Sequence, residues 1–356
     1  IATTRRRGAN GKPTAGADAP PGAGAPSSRV APRVHRVVDG WGWASLPRLA
    51  RLARRTGAQV VHVQYQAAAF AMRPAIYLLP WWTRRTLPGA LAAGTYHDLL
   101  VPYLFPKAGP VRGWLTRLPA RTADLILTTN ADDHARVEGW RPRARHALVP
   151  IGSNIPDAPP PGYHRDAWRA AHGIPPGAGL LAYFGFLNQS KGGLVLLDAL
   201  QRLRGAGRDA RLVMIGGRVG ASDPTNAAYL AGFEADAAAR GLGGALRWTG
   251  HVPPPAVSAW LRAADVAVLP YADGASYRRG SLMAALEHGL PIVTTLPAPA
   301  GGELPALIDG ERAMLVAAGD GEGLARAVGA VLGDPALAAR LSEGARAVAA
   351  SFGWEA

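Results

Sequence analysis

The chain has 356 residues, 48% of them hydrophobic and 18% charged, so it can bury real cores and is not a wholly disordered chain. No apolar run approaches the roughly 20 residues of a membrane span, and the absence of cysteine excludes disulfides, thiolate nucleophiles and Cys-ligated zinc. The formal charge of +14 resides in the first half, where residues 1–178 hold 24 Lys+Arg against 9 Asp+Glu, whereas residues 179–356 hold 15 against 16.

That asymmetry suits an anionic surface or substrate for the first half and a small ligand for the second. The 36 Arg against 3 Lys in an Ala/Gly/Pro-rich chain also fit plain compositional bias. The chain opens at Ile1 with no signal peptide before it. Ile1–Thr4 reads as the end of a buried strand, and the whole as a fragment lacking its first strand and loop.

Arg5–Arg33 is rich in Gly, Pro, Ala and Ser without any period and reads as a loop or disordered segment. Val34–Val38 is a short strand. Leu46–Arg55 has helical spacing and ends at Gly57, where a terminating glycine belongs. Val60–Val63 is a β-branched run expected to be covered on both faces. The alternation continues with a helical Ala75–Leu79, strand Leu91–Thr95, helix Gly113–Ala120, strand Leu125–Thr128, helix Ala131–Glu138 and strand Ala147–Pro150. Residues 154–178, rich in proline, read as a connection between domains with one helix near Asp166–His172.

The second half alternates more cleanly. Strands are expected at Leu180–Phe184, Arg211–Ile215, Leu246–Trp248, Val266–Leu269 and Ile292–Thr295. Helices are expected at Gly193–Leu203, Ala227–Arg240, Ala256–Ala263, Ser281–His288, Gly321–Leu332 and Ala336–Ala350. Strict alternation means parallel sheets with right-handed crossovers. The fold class is therefore α/β, with two doubly wound Rossmann-like domains facing each other: 1–153, then the 154–178 linker, then 179–356. In such sheets ligands bind beyond the carboxyl ends of the strands, so the loops there carry the chemistry.

After Leu180–Phe184 comes a polar loop, Gly185 to Gly192, with Lys191 opening a helix. Lys191 is the only lysine of the second half. A helix start with an added cation suits a phosphate, and an ordinary solvated lysine stands as the alternative. Gly216-Gly217-Arg218 after the next strand allows close backbone approach or a tight turn. Thr249-Gly250-His251-Val252 is another post-strand loop, with His251 either a ligand contact or an ordinary loop histidine. The densest run follows Val266–Leu269: Pro270-Tyr271, Asp273, Ser276, Arg278, Arg279, Gly280, Ser281 and Leu282. Two arginines meet a helix start there, which favours a diphosphate held by backbone donors and charge-assisted contacts.

The run from Tyr183 to Val316 resembles the donor-binding domain of retaining glycosyltransferases of the GT-B fold, family 4. The features that carry this are Phe184-Gly185 through Lys191-Gly192, Ile215-Gly216, Thr249-Gly250-His251-Val252, Ala264-Asp265-Val266 to Leu269-Pro270, and His288-Gly289-Leu290-Pro291 with Ile292–Thr295. Asp309-Gly310, Leu315-Val316 and Asp320 complete the pattern. The first half resembles the acceptor domain at Val60–Tyr65, Thr95-Tyr96-His97-Asp98 and Pro150–Asn154. Phe352-Gly353-Trp354 resembles the start of the family's last helix. Two departures stand out. The paired glutamates of the family, which contact the donor sugar and the ribose, fall on Ser276 and Ala284, with Glu287 three positions on. The loop arginine of the family falls on Phe186.

The resemblance implies transfer of a sugar from a nucleotide-diphosphate donor to an acceptor hydroxyl with retention, in polysaccharide or glycolipid synthesis. It implies a hexosyltransferase with His97, Lys191 and Arg279 as catalytic groups. The donor diphosphate would meet Gly185, Lys191, Gly216, Val252, Asp273, Ser276, Arg278, Arg279, Gly280, Ser281 and Leu282. The acceptor side would be Gln64, Tyr65, His97 and Asp98, with Asp98 orienting His97. No cofactor or metal is implied, because protein cations meet the phosphate charge and no ligand cluster of recognisable spacing stands in the sequence. Asp132-Asp133 reads as a helix start.

The expected partners are a nucleotide-sugar donor and a saccharide or lipid-linked acceptor, in the cytoplasm. Ile76–Arg85 reads either as a core helix with a basic end or as a segment lying on an anionic membrane at its inner face. Nucleic acid is not expected, since no aromatic platforms interleave with the basic residues. The missing glutamates leave a second reading open, a non-catalytic or weakly active GT-B-like nucleotide-sugar-binding protein.

Overall fold

The structure, a computed structural model, describes residues 2–4, 33–71, 73–97, 99, 109–217, 224–297 and 306–353. Most of the irregular segment expected at 5–33, and also Asp98, Arg218 and Trp354, lie outside the described residues. The chain divides into two compact units, Ile1–Val149 and Pro150–Ala356.

The first unit begins with β1 (Ala2–Thr4), which pairs in parallel with β2 (His35–Val38). Helix α1 (Ser45–Thr56) stops at Gly57, whose φ of 63° lets its N–H return to the carbonyl of Arg54. Then follow β3 (Val60–Tyr65), α2 (Leu79–Thr86), β4 (Leu91–Tyr96), α3 (Gly109–Thr122), β5 (Leu125–Thr128), α4 (Ala131–Gly139) and β6 (Arg145–Leu148). The four strands β3-β4-β5-β6 form one parallel sheet in chain order. Contrary to expectation, β3 is covered on one face only: Val63 and Tyr65 turn into the core of this unit while Val60, His62 and Gln64 on the alternate face are exposed.

Tyr65 stacks on Tyr77 and Tyr96 at centroid distances of 5.6 and 5.2 Å, and with Ile76, Leu79, Ile126 and Val137 they make the core of this unit. Gly94 on β4 is forced by that packing, since a Cβ there would stand 2.6 Å from the Tyr65 ring. The stretch Ile76–Arg85 turns Ile76, Leu79, Pro80 and Thr83 inward and leaves Trp81 exposed. The start of α4 is capped by Asn130, whose side chain accepts from the Asp133 amide and donates to the Asp133 carboxylate, each at 2.9 Å.

The second unit holds α5 (Arg165–Ala171), β7 (Gly179–Phe184), α6 (Gly193–Gly205), β8 (Ala210–Ile215), α7 (Pro224–Ala239), β9 (Leu246–Trp248), α8 (Pro254–Ala263) and β10 (Val266–Leu269). It continues with α9 (Gly280–Glu287), β11 (Ile292–Thr295), β12 (Met314–Val316), α10 (Gly321–Gly333) and α11 (Pro335–Ala350). Its six parallel strands run in the order β12-β11-β10-β7-β8-β9. The chain winds from β7 out to β9, then returns to β10 on the other side of β7. That reversal makes the sheet doubly wound and opens a crevice at the carboxyl ends of β7 and β10.

Residues 154–178, read above as a connection, are built into this second unit, and the division falls at Val149/Pro150. Ile155, Ile174 and Ala178 are buried in its core. Arg169, 8% exposed, donates to the carbonyl of Ala263 at 2.8 Å and to Asp265 at 2.6 Å. Asp265 also takes the Leu180 amide at 2.7 Å and pairs with Arg165. A buried arginine satisfied this way is a structural anchor, which proline content alone does not reveal.

Candidate functional site

Two loops meet at the reversal point of the second sheet. One leaves β7 through Gly185, at φ 117°, whose amide donates to the Ile215 carbonyl at 3.0 Å. It ends in Lys191 and Gly192, at the start of α6. The other leaves β10 and runs from Pro270 to Arg279, at the start of α9. The amide of Ala272 donates to the Ser190 carbonyl at 3.0 Å and ties the two loops together.

Tyr271 sits at their junction. Its ring is wholly buried, and its hydroxyl lies 2.7 Å from Ser281 Oγ in the first turn of α9. Burial pushes that hydroxyl well above the usual tyrosine range, so it stays protonated. Lys191 Nζ and the guanidinium carbon of Arg279 each stand 5.0 Å from the centre of this one ring. Two cations thus share one aromatic ring. Burial, then the neighbouring Arg279 charge, pulls Lys191 down to about 8, against an upward pull from Asp273. Such a lysine gains when an anion arrives, because the anion restores its charged form.

Arg279 occupies the N-cap position of α9, which has no side-chain cap. The amides of Gly280 and Ser281 therefore form the positive end of the helix, while that of Leu282 donates to the Tyr271 hydroxyl. Asp273, expected among the diphosphate contacts, pairs instead with Arg279; a carboxylate repels phosphate, and its place is to hold the guanidinium. Ser276 shapes the turn: its Oγ accepts the Arg278 amide at 3.3 Å and its carbonyl accepts the Arg279 amide at 2.9 Å. Arg278 is exposed, and the neighbouring Tyr277 packs on Phe352, centroids 4.8 Å apart. The Leu282 side chain is fully buried and its amide is engaged by the Tyr271 hydroxyl.

On the other side of β7, the Gly216 amide donates to Thr249 Oγ1 at 3.0 Å, at a φ of 114°. Gly216 also bridges to Gly250, and Val252 packs half-buried against the core. Phe186, at the position of the family's arginine, is 54% exposed. Ala284 lies wholly buried inside α9, and Glu287 one turn on is exposed at its far end, so Glu287 does not take the place of a carboxylate at 284. His288 is structural: buried, with ring nitrogens 2.7 Å from the Ala284 carbonyl and 2.9 Å from Ser258 Oγ.

In the first unit, the carboxyl ends of β3 and β4 bring His97 and Gln64 together. His97 Nε2 lies 2.7 Å from Gln64 Oε1, and Gln64 Nε2 lies 3.3 Å from His62 Nε2. His62 Nε2 in turn lies 2.8 Å from Thr95 Oγ1. Burial, then the nearby His97, lowers the pKa of His62. Tyr65, expected beside them, points the opposite way into the core and offers nothing to an acceptor.

Residues 178–334 match the family described as glycosyl transferases group 1. Over most of its second unit the chain is thus similar to the group 1 glycosyl transferases. It is 30% identical over 232 residues to a D-inositol 3-phosphate glycosyltransferase of Streptomyces avermitilis, covering 65% of this chain and 49% of that protein. It is 28% identical to the lipopolysaccharide core biosynthesis mannosyltransferase LpcC of Rhizobium leguminosarum, over 77% of this chain and 74% of the relative. The chain thus spans about half the length of the inositol-phosphate enzymes that it matches.

Among solved structures, sucrose-phosphate synthase of Thermosynechococcus elongatus aligns at a TM-score of 0.63 and 23% identity, over 88% of this chain and 75% of the other. Anabaena HepE in complex with UDP and glucose aligns at 0.66 and 17%, over 86% and 77%. These likenesses place the chain in the GT-B fold.

What sequence reasoning missed in this second unit is Tyr271. Its position directly after Pro270 at a strand end was the available signal, but an aromatic next to a strand reads as core. Only the folded arrangement shows both cations on its ring.

Proposed function

We propose that the protein is a retaining hexosyltransferase of family 4, moving a sugar from a nucleoside-diphosphate donor to an acceptor hydroxyl. The observation that carries this reading is the placement of Lys191 and Arg279 on the Tyr271 ring at the reversal point of the sheet. The hard parts of the reaction are a leaving diphosphate and an electron-poor sugar. A protein meets them with preorganised positive charge on the leaving group and correct placement of the acceptor. Lys191, Arg278, Arg279 and the first-turn amides of α9 supply the charge. His97, held by Gln64, reaches for the sugar or the acceptor. No resident metal is called for in this scheme.

The relatives extend the proposal to the acceptor: a phosphorylated polyol or a saccharide of a lipid-linked glycan, in keeping with the names of the proteins matched. Among the described residues no helix is long and apolar enough to cross a membrane. Trp81, exposed beside Arg84 and Arg85, supports peripheral contact with an anionic bilayer on the cytoplasmic side. Binding of the protein to anionic vesicles that weakens with salt tests that part.

The donor test is thermal stabilisation across UDP, GDP, ADP and TDP. A nucleotide that binds only the folded chain adds about 2.7 kcal/mol at 100 times its Kd. One diphosphate is expected to stand out and to lose its effect in Arg279→Ala. No shift with any of the four overturns the reading. Ala284, sealed in the core where a ribose-binding carboxylate belongs, favours the second reading, a nucleotide-sugar binder without turnover. Tight binding of a nucleotide sugar with neither hydrolysis nor transfer would decide for it.

A further inference from the structure

We propose that His134, Glu138 and His146 form a binding site for a divalent transition-metal ion of the zinc class. The three ligand atoms lie within 4.8 Å of one another. Glu138 Oε1 is 3.6 Å from His134 Nε2 and 3.7 Å from His146 Nε2. Bonds of about 2.0–2.1 Å to a tetrahedral zinc ion set neighbouring ligands about 3.3 Å apart, so a small contraction closes the site. Two imidazoles and a carboxylate are a borderline donor set suited to zinc, cobalt(II) or nickel(II) rather than to magnesium or calcium.

Two further observations point the same way. The Thr128 hydroxyl, fully buried, lies 2.9 Å from His134 Nδ1 and donates to the Ala147 carbonyl at 3.4 Å. A hydroxyl used as a donor there accepts from Nδ1–H, which leaves the His134 Nε2 lone pair aimed at Glu138. That is the outer-shell orientation typical of metal-ligating histidine. Glu138 also stands in the last turn of α4, where the partial negative charge of the helix end disfavours a carboxylate. A bound cation removes that conflict.

The site takes two ligands from α4 and one from the edge strand β6, and Glu138 and His146 are exposed. A metal there clips the helix to the edge of the first unit's sheet. His134 and Glu138 are four residues apart on one helical face, but His146 joins them only through the pairing of β6 with β5. This group was not recognised from the sequence, where no such cluster was expected.

The test uses the full chain, stripped with chelator and titrated with cobalt(II) chloride, followed by competition with zinc sulfate. One equivalent of cobalt is expected to give the visible bands of a low-symmetry site, to be displaced by zinc, and to raise the melting temperature. His146→Ala and Glu138→Gln are each expected to abolish saturation at concentrations that fill the native chain. Thr128→Val keeps all three ligands and is expected to weaken binding about 10- to 100-fold. The variants alter different elements, and melting without metal identifies any that fail to fold, leaving the others to decide. Unchanged cobalt binding in folded His146→Ala and Glu138→Gln, or none at all by the folded native chain, overturns the proposal.

Discussion

Gly192 lies against Pro270 so closely that a Cβ on it would overlap the Pro270 carbonyl oxygen and stand 2.9 Å from the carbonyl carbon. Its φ of 68° is itself a conformation that favours glycine. The contact joins the loop after β7 to the end of β10, and Lys191 is the residue next to it. Gly192→Ala is therefore expected to lower stability by about 2–5 kcal/mol, from backbone strain together with overpacking. It should also abolish nucleotide-dependent stabilisation in the fraction that still folds. Urea unfolding with and without the preferred nucleotide checks both.

Lys191 titrates near 8, well below the ordinary 10.5, because burial and Arg279 disfavour its charge. Affinity for a nucleoside diphosphate should be flat below about pH 7 and fall as pH rises through 8, where the free chain loses the cation. Lys191→Met should flatten that profile and weaken binding at pH 7 about 10- to 100-fold, the value of one charge-assisted hydrogen bond. The ligand-free chain should show the opposite trend. Between pH 8 and 10.5 the unfolded chain holds more protons at this lysine than the folded one, so its contribution to stability rises with pH. Calorimetric titration across pH 6.5–9.5 separates the two.

Asp265 gathers Arg165, Arg169 and the Leu180 amide around one carboxylate. Asp265→Ala leaves the buried Arg169 guanidinium without its counter-charge and should cost about 3–5 kcal/mol. Asp265→Ala combined with Arg169→Met should recover part of that loss, since no uncompensated charge then remains. Denaturant melts of the single and double variants give the coupling directly.

Gln64 holds the His97 ring at 2.7 Å on the exposed end of β3. Gln64→Leu is expected to leave nucleotide binding unchanged and to reduce sugar transfer about tenfold, because His97 loses its orientation rather than its presence. Turnover measured beside nucleotide affinity distinguishes this from general destabilisation.

Much of this was legible from local sequence. Val266–Leu269 and Ile292–Thr295 fold as strands with the expected bounds, because short β-branched runs between turn residues leave few alternatives. Gly57 ends α1 at the expected place for a similarly local reason. β12 escaped notice because its place as a strand rests on its pairing with β11, not on a local pattern. The anchoring of 154–178 escaped notice because its chief bond, Arg169 to Asp265, spans 96 residues.

The order of residues along the chain determined the alternating strands and helices, the two units, and Lys191 and Arg279 as candidates, since each rests on chemistry within a few positions. Tertiary structure alone decided that the strand order reverses at β7, that both cations meet on Tyr271, that Tyr65 turns inward, and that His146 joins the α4 pair. Those outcomes depend on which strands become neighbours, and that is set by the burial of whole faces rather than by local spacing.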